Sequence, residues 1–255
     1  MSSVRRLVSP VSAGGRTVLR SLGKLWWRAF SPDGLPLPPK RLRALVAVNL
    51  DTPTFLANGK REKAMIERTL ADADLLLSDF ESILDFGCGC GRVLRHLRAL
   101  EGAELYGSDY NRELVAWCSR NLPFASFSNN GLKPPLSNGS GTLNFVWAFS
   151  VFTHLSEELQ QPWMQELRRV LAPGGYLLFT VHGDSYGVEL TDEDRRRYEN
   201  DQLVVRAREL AGTNMCAAFH PEAYVRDTLA HGFDVLSLTR GGKLYHDVYL
   251  LRRSE

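Results

Sequence analysis

The sequence predicts an α/β fold built on a parallel sheet, and three observations carry that expectation. Between residues 82 and 181 short apolar runs alternate with stretches of helical apolar spacing, the rhythm of strands joined by crossover helices. One of these runs passes into a helix through a loop with glycine at alternate positions, in ILDFGCGCGRVLRHL at residues 83–97. The 255 residues are 44% hydrophobic and 24% charged, ordinary globular composition for one such domain with extensions.

Taken in order, the elements begin with a basic helix. From 16 to 30 the apolar Val18, Leu19, Leu22, Leu25, Trp26, Ala29 and Phe30 recur at helical spacing, while Arg16, Arg20, Lys24 and Arg28 step every four residues along the other side. Such a helix suits an anionic membrane surface, and the same pattern serves a helix docked on its own domain. Pro32, Pro36, Pro38 and Pro39 then impose an extended linker. The expected division is a head and linker over 1–40 and a catalytic domain over 41–255. Residues 60–80, with Met65, Ile66, Leu70, Leu75 and Leu76, read as a helix leading into the first strand. There follow strands near 82–86, 103–108, 124–128, 143–149 and 175–181, and helices near 92–100, 111–121 and 157–171. Ser156 is placed to N-cap the last of these, with Glu157 and Glu158 in its first turn, Arg168 and Arg169 in its last, and Pro162 expected to kink or restart it. Residues 183–221 break the rhythm and should overhang the carboxyl ends of the sheet, where a substrate is met. Within them Glu189, Asp192, Glu193 and Asp194 against Arg195, Arg196 and Arg197 read as a solvated helix face. A helix over 221–231 and strands at 233–238 and 243–251 complete the chain.

The glycine loop carries the chemistry. Glycine tolerates positive φ and removes the Cβ that keeps a ligand off the main chain, and a helix opening at Arg92 would offer unpaired N–H groups to a carboxylate or phosphate. The spacing is GxGxG where a dinucleotide loop has GxGxxG, and Asp85 stands immediately before it. That favours a nucleoside bearing an amino acid over a pyrophosphate. The next strand ends in Asp109, 24 residues after Asp85, where an acid can accept hydrogen bonds from both ribose hydroxyls.

With these residues the chain resembles a bacterial-type class I S-adenosylmethionine-dependent methyltransferase. The resemblance extends through NGLKPPL at 130–136, similar to the family's adenine-edge segment, NFVWAFSVFTHL at 144–155, similar to its fourth strand and turn, and LAPGGYLLFTVHG at 171–183, similar to its fifth strand. It implies a Rossmann-like, seven-stranded, mostly parallel sheet with an antiparallel edge strand and helices on both faces. It implies S-adenosylmethionine as cofactor: Gly87, Cys88, Gly89 and Gly91 take the methionine portion, Asp85 sits near its ammonium, Asp109 holds the ribose, and Tyr110 covers an adenine face. Asn130 and Gly131 read the adenine edge, and Phe149 and Ser150 line the site beneath the methyl group. Two asparagines depart from the family pattern, Asn144 and Asn130 each standing where many relatives have aspartate. The bland readings are that Asp85 and Asp109 cap helix starts, that the glycines only shape a turn, and that Phe149 and Ser150 are packing at a sheet end.

Charge and cysteines bound the rest. Residues 1–50 hold nine Lys or Arg against the single acid Asp33, a net +8 that leaves −6 for the remainder. An acidic body argues against nucleic-acid binding. Cys88 and Cys90 lack two further ligands at matching spacing, so no metal is expected, and Cys118 and Cys216 read as buried reduced thiols. No uninterrupted apolar run approaches the roughly 18 residues of a spanning helix. The expectation is a cytoplasmic protein, in peripheral contact with the inner face of the membrane if residues 16–30 lie on lipid. The sequence has no signal for oligomeric state.

Methyl transfer from a sulfonium demands alignment and exclusion of water more than catalytic side chains. A base matters when the acceptor is a hydroxyl or another poor nucleophile, and His182 and His154, at the ends of the fifth and fourth strands, are the catalytic candidates, each also readable as a structural imidazole. His220 ranks behind them, and His96 is expected at the surface. The reading is methyl transfer to a small or medium organic acceptor through O, N or C. The alternatives are an inactive cofactor-binding or membrane-recruited interaction protein and an NAD(P)-dependent oxidoreductase.

Overall fold

The computed structural model describes residues 33–46, 51–184, 190–243 and 246–255. The expected helix at 16–30 lies outside them. The chain divides into two compact units, residues 1–37 and 38–255, and everything below concerns the second.

Its centre is a seven-stranded sheet in the order β3-β2-β1-β4-β5-β9-β8. The strands are β1 (Ser82–Phe86), β2 (Glu104–Asp109), β3 (Ser126–Asn129), β4 (Leu143–Ala148), β5 (Leu171–Val181), β8 (Phe233–Lys243) and β9 (His246–Arg253). The first five run parallel, and β9 pairs antiparallel with both β5 and β8, giving the antiparallel edge. Alternate residues of each strand feed opposite faces. Val146 and Ala148 of β4 join the cluster packed under α4 (Glu157–Val170), with Leu159, Trp163 and Leu167. Phe145 and Trp147 join the one packed under α2 (Thr52–Ala71), with Met65, Ile66 and Leu70. The remaining α-helices among the described residues are α1 (Lys40–Arg43), α3 (Arg112–Asn121), α5 (Asp192–Glu199) and the short α6 (Glu222–Tyr224). Among the described residues no helix is long and apolar enough to cross a membrane.

Several expectations are corrected in detail. The helix expected over 60–80 is α2, which starts at Thr52 because Asp51 N-caps it through the Thr54 N–H, with Pro53 in its first turn. It stops at Ala71, and Leu76 is left exposed. The helix expected over 92–100 is only a 3-10 segment, Leu94–Leu97. Leu94 and Leu97, three apart, both turn into the core, which suits three residues per turn. Pro162 does not restart α4, which runs unbroken through it. The carbonyl that its missing N–H would have bonded belongs to Glu158, in the exposed first turn where water can replace it. Strand β5 begins four residues early, at Leu171, and the helix expected at 221–231 is α6 continued by a π-helical turn, Val225–Leu229. Asn144 pairs with Ser82 between the starts of β4 and β1, accepting from the Ser82 hydroxyl at 2.8 Å, far from the carboxyl ends of the strands.

Residues 190–221 hold more regular structure than their sequence suggested. They fold into α5, which buries none of its residues, and a two-stranded antiparallel sheet of β6 (Val204–Arg206) and β7 (Ala217–Phe219). The Gly212 N–H donates to the His154 carbonyl at 2.7 Å, which ties these residues to the 3-10 turn after β4.

Candidate active site

Strand order reverses between β1 and β4, the place where a parallel α/β sheet opens a crevice beyond its carboxyl ends. A cavity of about 680 Å³ occupies it. Across the sheet its floor runs from Asp109 at the end of β2, through Asp85 and the glycine loop after β1, to Phe149 and Ser150 after β4, His182 after β5 and His246 opening β9. Tyr110, Asn130 and Gly131 wall one end, and Gly212, Thr213 and Asn214 come over it from the segment 183–221. That segment therefore overhangs the crevice as expected.

The glycine loop is tight because its neighbours demand it. Gly87 and Gly89 have φ of 77° and 55°, and a Cβ on either would overlap Val151 or Val46. Gly91, with φ of 71°, does not line the cavity; a Cβ there would strike Leu122, so its role is to seat α3. The loop also departs from the anion-binding expectation. No α-helix opens at Arg92, and the N–H groups of Gly87 and Cys88 both donate to the Ser108 carbonyl, at 2.8 and 3.0 Å. The Gly89 N–H donates to Asp109 Oδ2 at 2.8 Å, and the Gly91 N–H to the Cys88 carbonyl at 2.9 Å. With those donors spent, the loop is poorly equipped for phosphate and keeps its glycine surface for close approach.

Buried carboxyl groups surround the loop. Asp85 is 3% exposed, and burial together with Glu62 of α2 pushes its carboxyl up to about 8, opposed by the Trp147 indole and Arg92. Glu62 is itself 3% exposed and pairs with Arg92 at 2.6 Å. A cation brought beside Asp85 would favour its ionised form. Asp109 is not a helix cap: Asn111 caps α3, and Asp109 accepts from the Gly89 and Asn111 N–H groups. Burial raises its pKa, and those two N–H groups oppose the shift. One lone pair on each of its oxygens remains geometrically separate from those bonds. Asn130 Oδ1 accepts from the Ser108 hydroxyl at 2.6 Å, which fixes the amide against β2. Tyr110 is 41% exposed at the rim.

The histidines divide into two groups. His182 Nδ1 donates to the Ala218 carbonyl at 3.1 Å, and His154 Nδ1 to the Cys216 carbonyl at 2.7 Å, so each neutral ring carries its lone pair on Nε2. Both line the cavity. His220 does not: it is buried and bonded to Gln160 Oε1 at 2.9 Å, a structural imidazole. His96 is partly buried against α2 beside Gly59, contrary to the surface position expected. Sequence reasoning missed His246, whose ring lies 4.6 Å from that of His182 and whose Nδ1 is 3.5 Å from the Ser150 hydroxyl. Its signal was weak, because only the antiparallel register of β5 and β9 brings it there. Glu62 was missed for the same reason, being brought in by helix packing. All four cysteines are free and buried, and among the described residues no cluster of histidine, cysteine or carboxylate groups could hold a metal ion.

Comparison with known proteins agrees with this geometry. A family model described as a methyltransferase domain matches residues 55–238. Among solved structures, the chain is similar to magnesium protoporphyrin IX methyltransferase from Synechocystis PCC 6803 with bound S-adenosylhomocysteine, at 17% identity over 92% of this chain and 100% of that one, with a TM-score of 0.56. It is similar to 1,6-didemethyltoxoflavin-N1-methyltransferase from Burkholderia thailandensis, at 15% identity over 98% of this chain and 94% of that one, with a TM-score of 0.55. A third is a SAM-dependent methyltransferase from Methanosarcina mazei, at 22% identity over 72% of this chain and 97% of that one, with a TM-score of 0.53.

Proposed function

Because the chain belongs to the methyltransferase-domain family, we propose that it binds S-adenosylmethionine in the crevice and moves the sulfonium methyl group to a small or medium organic acceptor. The observation that carries this reading is the Asp109–Gly89 link, which joins the ribose-side carboxylate to the glycine loop in one cradle beside the buried Asp85. The ammonium of the methionine portion meets Asp85 and favours its ionised form, with Gly87, Cys88 and Gly89 against its chain. Asp109 takes the ribose hydroxyls, Tyr110 lies against the adenine, and Asn130 with Gly131 meets its edge. Phe149 and Ser150 sit beneath the methyl group. Two of the structural neighbours carry S-adenosylhomocysteine in a related fold, which supports the same occupant here.

Methyl transfer is an in-line displacement: the acceptor lone pair attacks the methyl carbon and the S–C bond electrons return to sulfur. This chain contributes alignment through the cradle, water exclusion through residues 212–214, and His182 with His154 beside the acceptor. The oxidoreductase alternative is disfavoured by the spent loop donors, which leave little for a pyrophosphate. The basic, tryptophan-bearing segment at 16–30 supports seating on an anionic membrane surface. Isothermal titration with S-adenosylmethionine, S-adenosylhomocysteine and NADH tests the cofactor: micromolar binding of the first two is expected, and binding of NADH alone would reverse the assignment. Tritiated methyl incorporation from cell extracts then identifies the acceptor.

A further inference from the structure

Residues 212–214 cross the cavity, and β7, which follows them, meets the end of β5 through one bridge, Phe219 beside His182. Carbonyls two residues apart on a strand point the same way, and the pair on this edge, Cys216 and Ala218, accept from imidazoles where a neighbouring strand would donate. His154 Nδ1 donates to the Cys216 carbonyl at 2.7 Å and His182 Nδ1 to the Ala218 carbonyl at 3.1 Å. Both residues grip the same segment again through the main chain. The His154 carbonyl accepts from the Gly212 N–H at 2.7 Å, and the His182 carbonyl from the His220 N–H at 2.8 Å. The far lip is held differently: Asn214 Nδ2 donates to the Leu45 carbonyl at 3.2 Å, in contact with solvent. Leu45 belongs to residues 44–46, which line the cavity, and Val46 lies so near the glycine loop that a Cβ on Gly89 would come within 2.5 Å of its Cγ1.

Resting on the cofactor reading above, we propose that His154 and His182 are positioning residues whose Nδ1–H groups latch residues 212–219 as a roof over the bound nucleoside, and that cofactor enters and leaves by parting Asn214 from Leu45. Gly212 seats the roof on the wall beneath it. With φ of 86°, it stands so close to that wall that a Cβ would come within 2.7 Å of Leu132 Cδ1 and 3.6 Å of Tyr110 Cζ. The tip from Gly212 to Asn214 therefore touches three boundaries of the cavity: the turn at His154, the wall of Tyr110 and Leu132, and the run at Leu45 that covers the glycine loop. The hold is unequal. Ring and backbone of two histidines secure the β7 side, whereas the Leu45 side is secured by an exposed side-chain bond, which exchanges with water at little cost.

Methyl transfer needs the site closed to water, and turnover needs S-adenosylhomocysteine to leave and S-adenosylmethionine to replace it. A roof fixed along one side and lightly held on the other meets both demands. Because a carbonyl only accepts, Nδ1 carries the proton in the neutral rings and keeps it in the imidazolium, so the latch holds in either charge state. The latch is also separable from the chemistry of Nε2. An asparagine amide nitrogen falls near the place of Nδ1, and a glutamine amide nitrogen near that of Nε2.

The test uses the full-length protein. Calorimetric titration with S-adenosylhomocysteine comes first, and absence of binding there sinks the cofactor reading by itself. Association and dissociation rates of the tritiated nucleoside are then measured by rapid filtration. His154→Gln and His182→Gln should each raise both rates about ten-fold, the worth of one hydrogen bond, and leave Kd within about three-fold. His154→Asn and His182→Asn should return both rates to near the unsubstituted values, a rescue that neither a base at Nε2 nor simple loss of packing predicts. Asn214→Ala, at an exposed side chain, should speed both rates with the histidines intact. In the unsubstituted protein, S-adenosylhomocysteine should slow amide hydrogen exchange in residues 212–219 and leave the exposed helix α5 unchanged, a readout independent of any variant. Glutamine variants with unaltered rates, asparagine variants as fast as the glutamine ones, affinity lost without faster association, unaltered rates in Asn214→Ala, or exchange in 212–219 indifferent to the nucleoside overturns the proposal.

Discussion

Asp85 and Asp109 look alike in the sequence, each an acid at a strand end, and the structure gives them different work. Asp109 bonds the Gly89 and Asn111 N–H groups, so Asp109→Ala removes a brace of the loop and, on the proposed reading, the ribose contact. Calorimetry should show S-adenosylhomocysteine affinity weakened by about 1.5–3 kcal/mol, the worth of a charge-assisted pair; unchanged affinity would misplace the ribose. Asp85 is pushed from 3.8 up to about 8 by burial and Glu62. Between those values the folded protein holds a proton that the unfolded chain has lost, so this group makes stability fall as pH rises from about 4 to about 8. Urea unfolding of the unliganded protein across that range should show the decline, and Asp85→Asn should flatten it. A ligand cation at Asp85 favours the ionised carboxyl, so cofactor binding near neutral pH should release a proton, read as a dependence of binding enthalpy on buffer ionisation.

Elements impose their own constraints, seen best where α2 crosses the glycine loop. Gly59 sits in the middle of that helix, where alanine ordinarily stabilises by about 1 kcal/mol. Here a Cβ would overlap the Arg92 carbonyl, a backbone atom with no rotamer to change. Gly59→Ala should therefore reverse the usual sign and destabilise by about 1–3 kcal/mol, measured by denaturant unfolding, and should loosen the Glu62–Arg92 pair that the close approach permits. A stabilised variant would show that the helix slides freely. On the opposite side, Arg240 of β8 ties Asp184 after β5 to Glu222 of α6. Those pairs are solvent-exposed, so they order the region beside His182 while adding little to stability.

At the scale of the whole molecule, the described cavity wall lies between residues 44 and 246. Deleting residues 1–31 should accordingly leave cofactor affinity within a few-fold and abolish binding to vesicles of anionic lipid, checked by calorimetry and co-sedimentation. Equal vesicle binding by the truncated protein would remove the anchoring role of the basic segment. The sheet brings acids from β1 and β2 and imidazoles from β5 and β9 to one line along its carboxyl ends, where they line one cavity. Methyl transfer by such a site depends on both halves being aligned to a fraction of an ångström, and the sheet is the rigid part that does so.

The sequence by itself located the five parallel strands, the glycine loop, and the acids that flank it, because these are local signals: apolar periodicity, positive-φ glycine and a side chain at a strand terminus. It also marked His154 and His182, which end their own strands. Tertiary structure alone decided that Glu62 faces Asp85, that the loop's N–H groups are consumed by Ser108 and Asp109, and that His246 stands beside His182. Each of those depends on the packing or register of segments far apart in the chain, and a one-residue slip between β5 and β9 would turn His246 to the other face. No spacing rule along the chain records such a distance.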